Sequence, residues 1–466
     1  MEDELLVRVY SVGFGDCIYV RIPDDGEAFH ALIDCGTSAP ADSLKPALDD
    51  VLSMLPRDQE GNARLDLLVA THPHADHIKG FDPEWFDGVK IGRIWLSVFM
   101  KPDHPQAART LAFQNMAHDA ALALLERPGL QLGDGVQALL ERSIWNPGAL
   151  KALREDLARA SGIDPQYPLY VARDLADRLS PEEREQHQLA YEQSSTCFRG
   201  FRDSETCLRV LSPEWDIDKY YLGQGTLDSH SLLDRYMLRT EAYQASPEPL
   251  DDLPPDAEEV SGAGSETVPR PDNISARDFR QLRRHLLYSA LAFSQKDDRL
   301  KNNVSVVLLL EWRGRRLLFT ADAEWKGTGV KENRRNSTWD VMLHHSDVEQ
   351  LLLQPLDVLK VAHHGSHNGT PFHKGGKEEV LARMVSPDRT HVVVSTVAGE
   401  HGDKNPVPYP PLMKALGQLA ANRRRYPNDG EEDLRNVPQP QRTDLEPTVA
   451  GKEVQYVDVT LSPGGG

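Results

Sequence analysis

Four potential metal ligands, His72, His74, Asp76 and His77, fall within six positions of one another in the segment THPHADHIKG. They follow LDLLVA (65–70), an apolar run short enough to be a buried strand. A loop leaving a strand can aim several side chains at one point. Neutral imidazole nitrogen and carboxylate oxygen suit Zn²⁺ and related divalent ions. The grouping has room for two such ions, His72 and His74 serving one, Asp76 and His77 the other. A single histidine in a polar loop needs no such explanation, but three with an aspartate at this spacing point to metal.

Two further segments repeat the pattern of a strand delivering polar groups to a loop. RRLLFTAD ends at Asp322. An aspartate there caps a turn in many proteins, but beside a metal cluster it is a natural bridge between two cations. LDVLKVA runs into His363-His364-Gly365-Ser366-His367, where Gly365 permits close approach and one of the histidines is placed to ligate. His344-His345 follow no clear strand and read as surface or packing residues.

The elements that would carry these loops are legible in outline. LLVRVYSV, CIYVRI and HALID read as short strands around the turn Gly13-Phe14-Gly15-Asp16. Leu44, Leu48, Val51, Leu52 and Leu55 recur at helical spacing. IGRIWLS (91–97), CLRVLSP (207–213), VSVVLLLEW, RRLLFTAD, THVVVST and VQYVDVTL read as further strands, and a helix begins near Pro411. The spacing predicts an α/β protein, with two sheets contributed by the two ends of the chain and helices outside. The division is 1–100 for the first half, 101–204 for a helical insertion rich in Ala, Leu, Glu and Arg, 205–243 for a return strand and connector, and 274–466 for the second half with its tail. Residues 244–273 hold six prolines, eight acids and one base, Arg270, which predicts a flexible linker.

Composition limits the function. The formal net charge of −20 repels polyanions at long range, so broad electrostatic nucleic-acid binding is disfavoured. No apolar run reaches the ~18–20 residues of a membrane helix, and the acidic start MEDELL lacks the pattern of a signal peptide. Cys17, Cys35, Cys197 and Cys207 form no C-x-x-C pair, so neither a disulfide scaffold nor a zinc ribbon is expected, and the expected compartment is the cytoplasm.

The chain resembles the metallo-β-lactamase fold superfamily, whose first metal loop reads H-x-H-x-D-H. Within it the likeness is to the hydrolase domain of the DNA-uptake competence protein ComEC and its stand-alone relatives. The matching pieces are VGFGDCIYVRI, LIDCG, LLVATHPHADHIKG, NNVSVVLLLEWRGRRLLFTADAE and VLKVAHHGS. The resemblance implies an αββα sandwich of two mixed β-sheets packed face to face, with helices outside. It also implies that His72 and His74 hold one metal, Asp76 and His77 the second, that Asp322 bridges them, and that His363 is the final ligand with His364 beside the substrate. Superfamily members commonly carry another histidine before the Asp322 strand, where this chain reads LKNNVS; Asn303 is the candidate replacement. A first site with only two histidines and Asp322 would be weaker and suit Mn²⁺ as well as Zn²⁺. Where relatives carry Gly-His-Pro, GEHGDKNPVPYP offers His401 and Lys404.

A pair of cations can lower the pKa of a water and stabilise charge on an attacked phosphoryl or carbonyl oxygen, with Asp76 essential and His364 or His367 as the acid. The first reading is a phosphodiesterase or nuclease, with Lys326, Lys331, Arg334 and Arg335 as substrate contacts and nucleic acid or a small phosphodiester as substrate. Carbon-ester, lactone or amide hydrolysis is the second. The third is a regulatory subunit that docks a protein partner through the helical insertion, its metal site auxiliary. Limited proteolysis with an unselective protease is expected to cut first within 244–273. Protection of that segment would instead assign it a partner-facing or lid role.

Overall fold

The computed structural model describes residues 3–108, 152–160, 169–192, 195–222, 275, 300–327, 337–371, 378–396, 406–419, 447–449, 452–453 and 456–464. The expected linker at 244–273 lies outside them, as does much of 101–204.

The first sheet starts as an antiparallel meander of β1 (Leu5–Tyr10), β2 (Cys17–Asp24) and β3 (Glu27–Cys35). Helix α1 (Lys45–Met54), opened by Pro46 in its first turn, then crosses over. After the short β4 (Ala63–Leu65), strand β5 (Leu67–Ala70) pairs parallel with β3. The single turn α2 (Ala75–Ile78) and the short β6 (Val89–Ile91) precede β7 (Ile94–Ser97), parallel to β5. Strand β8 (Leu169–Val171) extends this edge in parallel.

The second sheet runs antiparallel through β9 (Leu189–Glu192), β10 (Ser195–Phe198), β11 (Cys207–Ser212), β12 (Val307–Trp312) and β13 (Arg315–Phe319). It then turns parallel through β14 (Val358–Lys360) and β15 (His391–Val393). Strands β16 (Pro447–Val449) and β17 (Lys452–Glu453) pair with each other, and β18 (Tyr456–Leu461) returns to β1, with Leu5 opposite Leu461. Among the described residues the strand orders are therefore 18-1-2-3-5-7-8 and 15-14-13-12-11-10-9.

The two-residue period of the strands sorts their side chains into layers. Val7, Ile18, Val20, Ile33, Val69 and Trp95 meet Leu208, Val210, Leu308, Leu310, Phe319 and Val358 in one core between the sheets. The alternate residues Tyr10, Leu32, Leu68 and Leu96 pack outward with Leu44, Leu48 and Val51 around α1. On the far side Leu309, Leu318, Leu359 and Val392 pack against Trp339, Met342, Leu352, Leu381, Met413 and Leu416. Those residues lie on or beside the helices Thr338–Met342, Ser346–Leu352, Glu378–Met384 and Pro410–Leu419. The result is the αββα sandwich. Both faces of each sheet are covered, so several strands read as unbroken apolar runs.

Two findings differ from the sequence reading. Residues 169–198, within the segment read as helical, supply β8, β9 and β10, which widen both sheets. Strands of three or four residues leave too little alternation to compete with the surrounding helical spacing, and pairing with β7 and β11 decides them. A disulfide also joins Cys197 to Cys207 across the β10–β11 connection, while Cys17 and Cys35 are buried thiols on facing positions of β2 and β3. No helix among the described residues is long and apolar enough to cross a membrane.

The loop after β5 is cradled by glycines. A Cβ on Gly36 would lie 2.2 Å from the Asp76 carbonyl carbon, and one on Gly15 2.7 Å from the Asp76 oxygen. The backbone closes the same contact, with Asp16 N–H donating to the Asp76 carbonyl at 3.0 Å and Gly36 N–H to the Asp16 carbonyl at 2.9 Å. Gly36→Ala is expected to force this loop outward, at a cost of about 1–3 kcal/mol in denaturant unfolding, and to weaken metal uptake. Unchanged metal affinity in a calorimetric titration would show that the close approach is dispensable.

Candidate metal centre

The chemistry gathers at the carboxyl ends of strands from both sheets. β3 ends beside Asp34, β5 delivers Thr71 to His77, β13 delivers Asp322, β14 delivers His363 and His364, and β15 delivers Ser395. The backbone leaves these strands by left-handed turns. Asp34 has φ 58°, Ala321 44°, His363 48° and His364 52°, followed by Gly365 at 77°. Such conformations cost a non-glycine residue about 1–2 kcal/mol each, and they gather where side chains must be turned toward one point.

Two overlapping groups result, with candidate ligand atoms in each lying within 4.8 Å of one another. One is Asp76, His77, Asp322 and His364; the other is His72, His74 and Asp322. In the first, His77 Nε2 lies 3.3 Å from Asp322 Oδ1, and His364 Nε2 lies 3.3 Å from Asp76 Oδ2 and 3.6 Å from Asp322 Oδ1. In the second, His72 Nε2 is 3.0 Å from His74 Nδ1 and 3.7 Å from Asp322 Oδ2. His72, His77, Asp322 and His364 are buried, while His74 and Asp76 are half-buried at the mouth.

The atoms aimed inward are those without other partners. His77 Nε2, His364 Nε2 and Asp322 Oδ1 are buried and make no hydrogen bond. Buried polar atoms are nearly always satisfied, so three orphans converging on one point, all of them metal-ligand types, fit divalent cations. The outward atoms are tied. His77 Nδ1 lies 2.7 Å from Asp34 Oδ2, and His364 Nδ1 lies 3.0 Å from the Ser395 carbonyl. A carbonyl only accepts, so His364 Nδ1 carries a proton and Nε2 is the ring nitrogen turned inward, free to ligate once any proton on it is displaced. Asp34 also accepts from Thr71 N–H at 2.8 Å and Thr71 Oγ1 at 2.6 Å. Asp16 accepts from Lys360 Nζ at 2.8 Å and from the Ser395 hydroxyl. These two carboxylates also gather round His77, but their oxygens are occupied, so they hold the centre from behind.

Charge is distributed accordingly. Burial opposes a charge on His77, but Asp322 and Asp34 outweigh it and hold the imidazole well above its ordinary pKa. His364 is raised against burial by Asp322, Asp76 and Asp16. Burial and the neighbouring His77 push His72 well below its ordinary value, so it is neutral. Burial would raise Asp322, yet His77, His364 and His363 hold it well below the usual carboxylate range. Burial wins at Asp34, which is raised in spite of His77 and Thr71.

The structure brings His72, His74, Asp76, His77 and Asp322 together, and it treats the two adjacent histidines differently. His364, not His363, joins Asp76, His77 and Asp322 in one ligand group. His363 is partly exposed, its Nε2 3.8 Å from Asp322 Oδ2 and 3.4 Å from Asn302 Nδ2. Two successive left-handed residues reverse the direction in which the pair projects, which spacing alone does not reveal. Asn303 is also placed differently. Its Oδ1 accepts from Thr338 N–H at 2.9 Å and its Nδ2 donates to Glu324 at 3.0 Å. Asn302 is the residue beside His363, and its buried Oδ1 has no hydrogen-bond partner. His367 is exposed, its ring 6.2 Å from that of Tyr409, and Lys326 is exposed at its own loop. Lys331, Arg334, Arg335, His401 and Lys404 lie outside the described residues. His345 pairs with buried Glu214 at 3.0 Å, a packing role.

Sequence reasoning missed Asp16, Asp34, Lys360 and Asn302. Asp34 lies near the carboxyl end of its strand and Asp322 just beyond the end of its own, and Lys360 interrupts the apolar run VLKVA, where a buried ammonium demands a carboxylate.

A family model described as the metallo-beta-lactamase superfamily matches residues 10–83. That stretch carries Asp16, Asp34 and the first histidine loop; Asp322 and His364 lie beyond it. Comparison with the curated proteins finds no match.

Metal can bind His77 and His364 only as neutral imidazoles. Both are held above their ordinary pKa without metal, so uptake must displace protons. Apparent affinity is expected to rise as pH increases from about 6 to 8. Calorimetry in buffers of different ionisation enthalpy should register proton release; buffer-independent heats would contradict the assigned charge states.

Proposed function

We propose that the chain is a metal-dependent hydrolase. Asp76, His77 and His364 would hold one divalent cation, His72 and His74 another, and Asp322 would stand between them. The observation that carries this is the convergence of buried, unpartnered ligand atoms from both sheets on Asp322. The donor set mixes imidazole and carboxylate, which suits Zn²⁺ and accommodates Mn²⁺. When bound, such a pair supplies Lewis acidity and an activated water.

The chain's own groups fill the other roles. Asp34 and the Ser395 carbonyl orient His77 and His364, so that no rearrangement is needed when substrate arrives. His363, partly exposed beside Asp322 and Asn302, is placed to meet a leaving group and give it a proton. The ring of Phe14 lies 4.2 Å from that of His364.

The finer reading is a phosphodiester substrate. It is supported by the resemblance to ComEC-type hydrolase domains and by the match of paired cations to phosphate charge. The net charge of −20 favours a small or locally gripped phosphodiester over long duplex DNA.

Asp76→Ala is expected to abolish cleavage of bis-p-nitrophenyl phosphate while leaving the circular dichroism and melting of the fold close to wild type. His364→Ala should behave alike. His363→Ala should retain metal and lose on the order of 10²–10⁴-fold in rate, the range of a proton donor. Full activity of Asp76→Ala under strict metal control would sink the hydrolase reading. Cleavage of a lactone or thioester but no phosphodiester would move the assignment to carbon esters.

A further inference from the structure

Asp16 lies outside both ligand groups that converge on Asp322, yet it touches the supports of two of their members. Its backbone N–H donates to the Asp76 carbonyl at 3.0 Å and its own carbonyl accepts from Gly36 at 2.9 Å. Its carboxylate accepts from the Ser395 hydroxyl, and the Ser395 carbonyl holds His364 Nδ1 at 3.0 Å. Asp76 belongs to the first half of the chain and His364 to the second, so Asp16 closes a circuit between opposing sheets. Its charge is balanced by Lys360 Nζ at 2.8 Å, a partner 344 positions away and 1% exposed.

We infer that Asp16, with Lys360 as counter-ion, is a positioning residue that sets where His364 stands relative to Asp76 and so shapes one of the two metal positions; this rests on the metal reading above. The physical argument is one of alternatives. A buried ion pair is seldom a net gain over apolar side chains of similar volume. Here the pair occupies the seam between the sheets, at the point where the two ligands must be held to a few tenths of an ångström. An apolar pair would fill the space without directing either neighbour. Asp16 instead presents two oxygens along fixed directions, one to Lys360 on β14 and one to Ser395 after β15, while its backbone fixes the loop that carries Asp76.

The test titrates metal-depleted protein with Co²⁺ and records stepwise affinity and the visible ligand-field spectrum. The wild type is compared with the double variant Asp16→Asn/Lys360→Met, which removes both charges together and strands neither. The step that Asp76→Ala abolishes is expected to weaken about 10–100-fold in the double variant, as for other residues that support metal ligands, with a shifted spectrum; the other step should move by no more than about twofold. In steady-state assays kcat should fall with KM little changed. Ser395→Ala keeps the carbonyl that orients His364 and removes only its tie to Asp16, so it should weaken the same step to a smaller extent. A pair that serves folding alone leaves both cobalt steps and the spectrum as in wild type, and that result overturns the proposal. If the double variant does not fold, an unchanged titration of Ser395→Ala overturns it by itself. Failure of the hydrolase reading looks different: a wild type that takes up Co²⁺ in two steps and cleaves no ester or phosphodiester refutes the activity, while the positioning role is still decided by the cobalt titrations.

Discussion

Asp322 is a carboxylate withdrawn almost wholly from water, and its Oδ1 receives no hydrogen bond. A buried carboxylate left to itself costs several kcal/mol, so the fold must surround it with groups that can donate to it or offset its charge. His72, His77, His363 and His364 all have a ring nitrogen within 3.3–3.8 Å of its oxygens. Each of these in turn needs its other face oriented, and that demand spreads outward through Asp34, Thr71, Ser395, Asp16 and Lys360. The polar end of the sandwich is thus organised by one requirement, electroneutrality in a dry place, which either protonated imidazoles or bound cations can meet.

The architecture makes that concentration of charge possible. In both sheets the parallel strands end at the same rim, and the strands behind it are covered on both faces by apolar layers. The core between the sheets carries the stability, which frees the rim to hold left-handed turns at Asp34, Ala321, His363 and His364. Four left-handed residues and the buried carboxylates Asp16, Asp34 and Asp322 therefore share one rim.

Much of this was legible in the sequence, and the exceptions have physical causes. The first histidine loop and Asp322 follow the apolar runs LDLLVA and RRLLFTA, which stand out from the sequence around them, so their placement follows from strand direction. The choice between His363 and His364 depends on two backbone dihedrals that no side-chain pattern encodes. Asn302 and Asn303 are neighbours, and which of them faces the histidines depends on where β12 begins. β8, β9 and β10 escaped because strands of three or four residues inside Ala- and Leu-rich sequence take their form from the partner they pair with. Lys360 and Asp16 were visible as types, but a charge inside an apolar strand shows only that a partner exists; it does not identify the partner 344 positions away.

The pairing of β1 with β18 has a consequence for how the protein is made. Arg8 meets Asp458 across 450 positions of chain. During synthesis at roughly 5–20 residues per second, β1 waits about 20–90 s for that neighbour. Until then LLVRVY presents an open, apolar edge, the kind of surface on which unrelated strands add. The ribosome thus delivers two neighbouring strands of one sheet some 450 residues apart. A nascent chain of this protein is a natural client for any factor that shields strand edges.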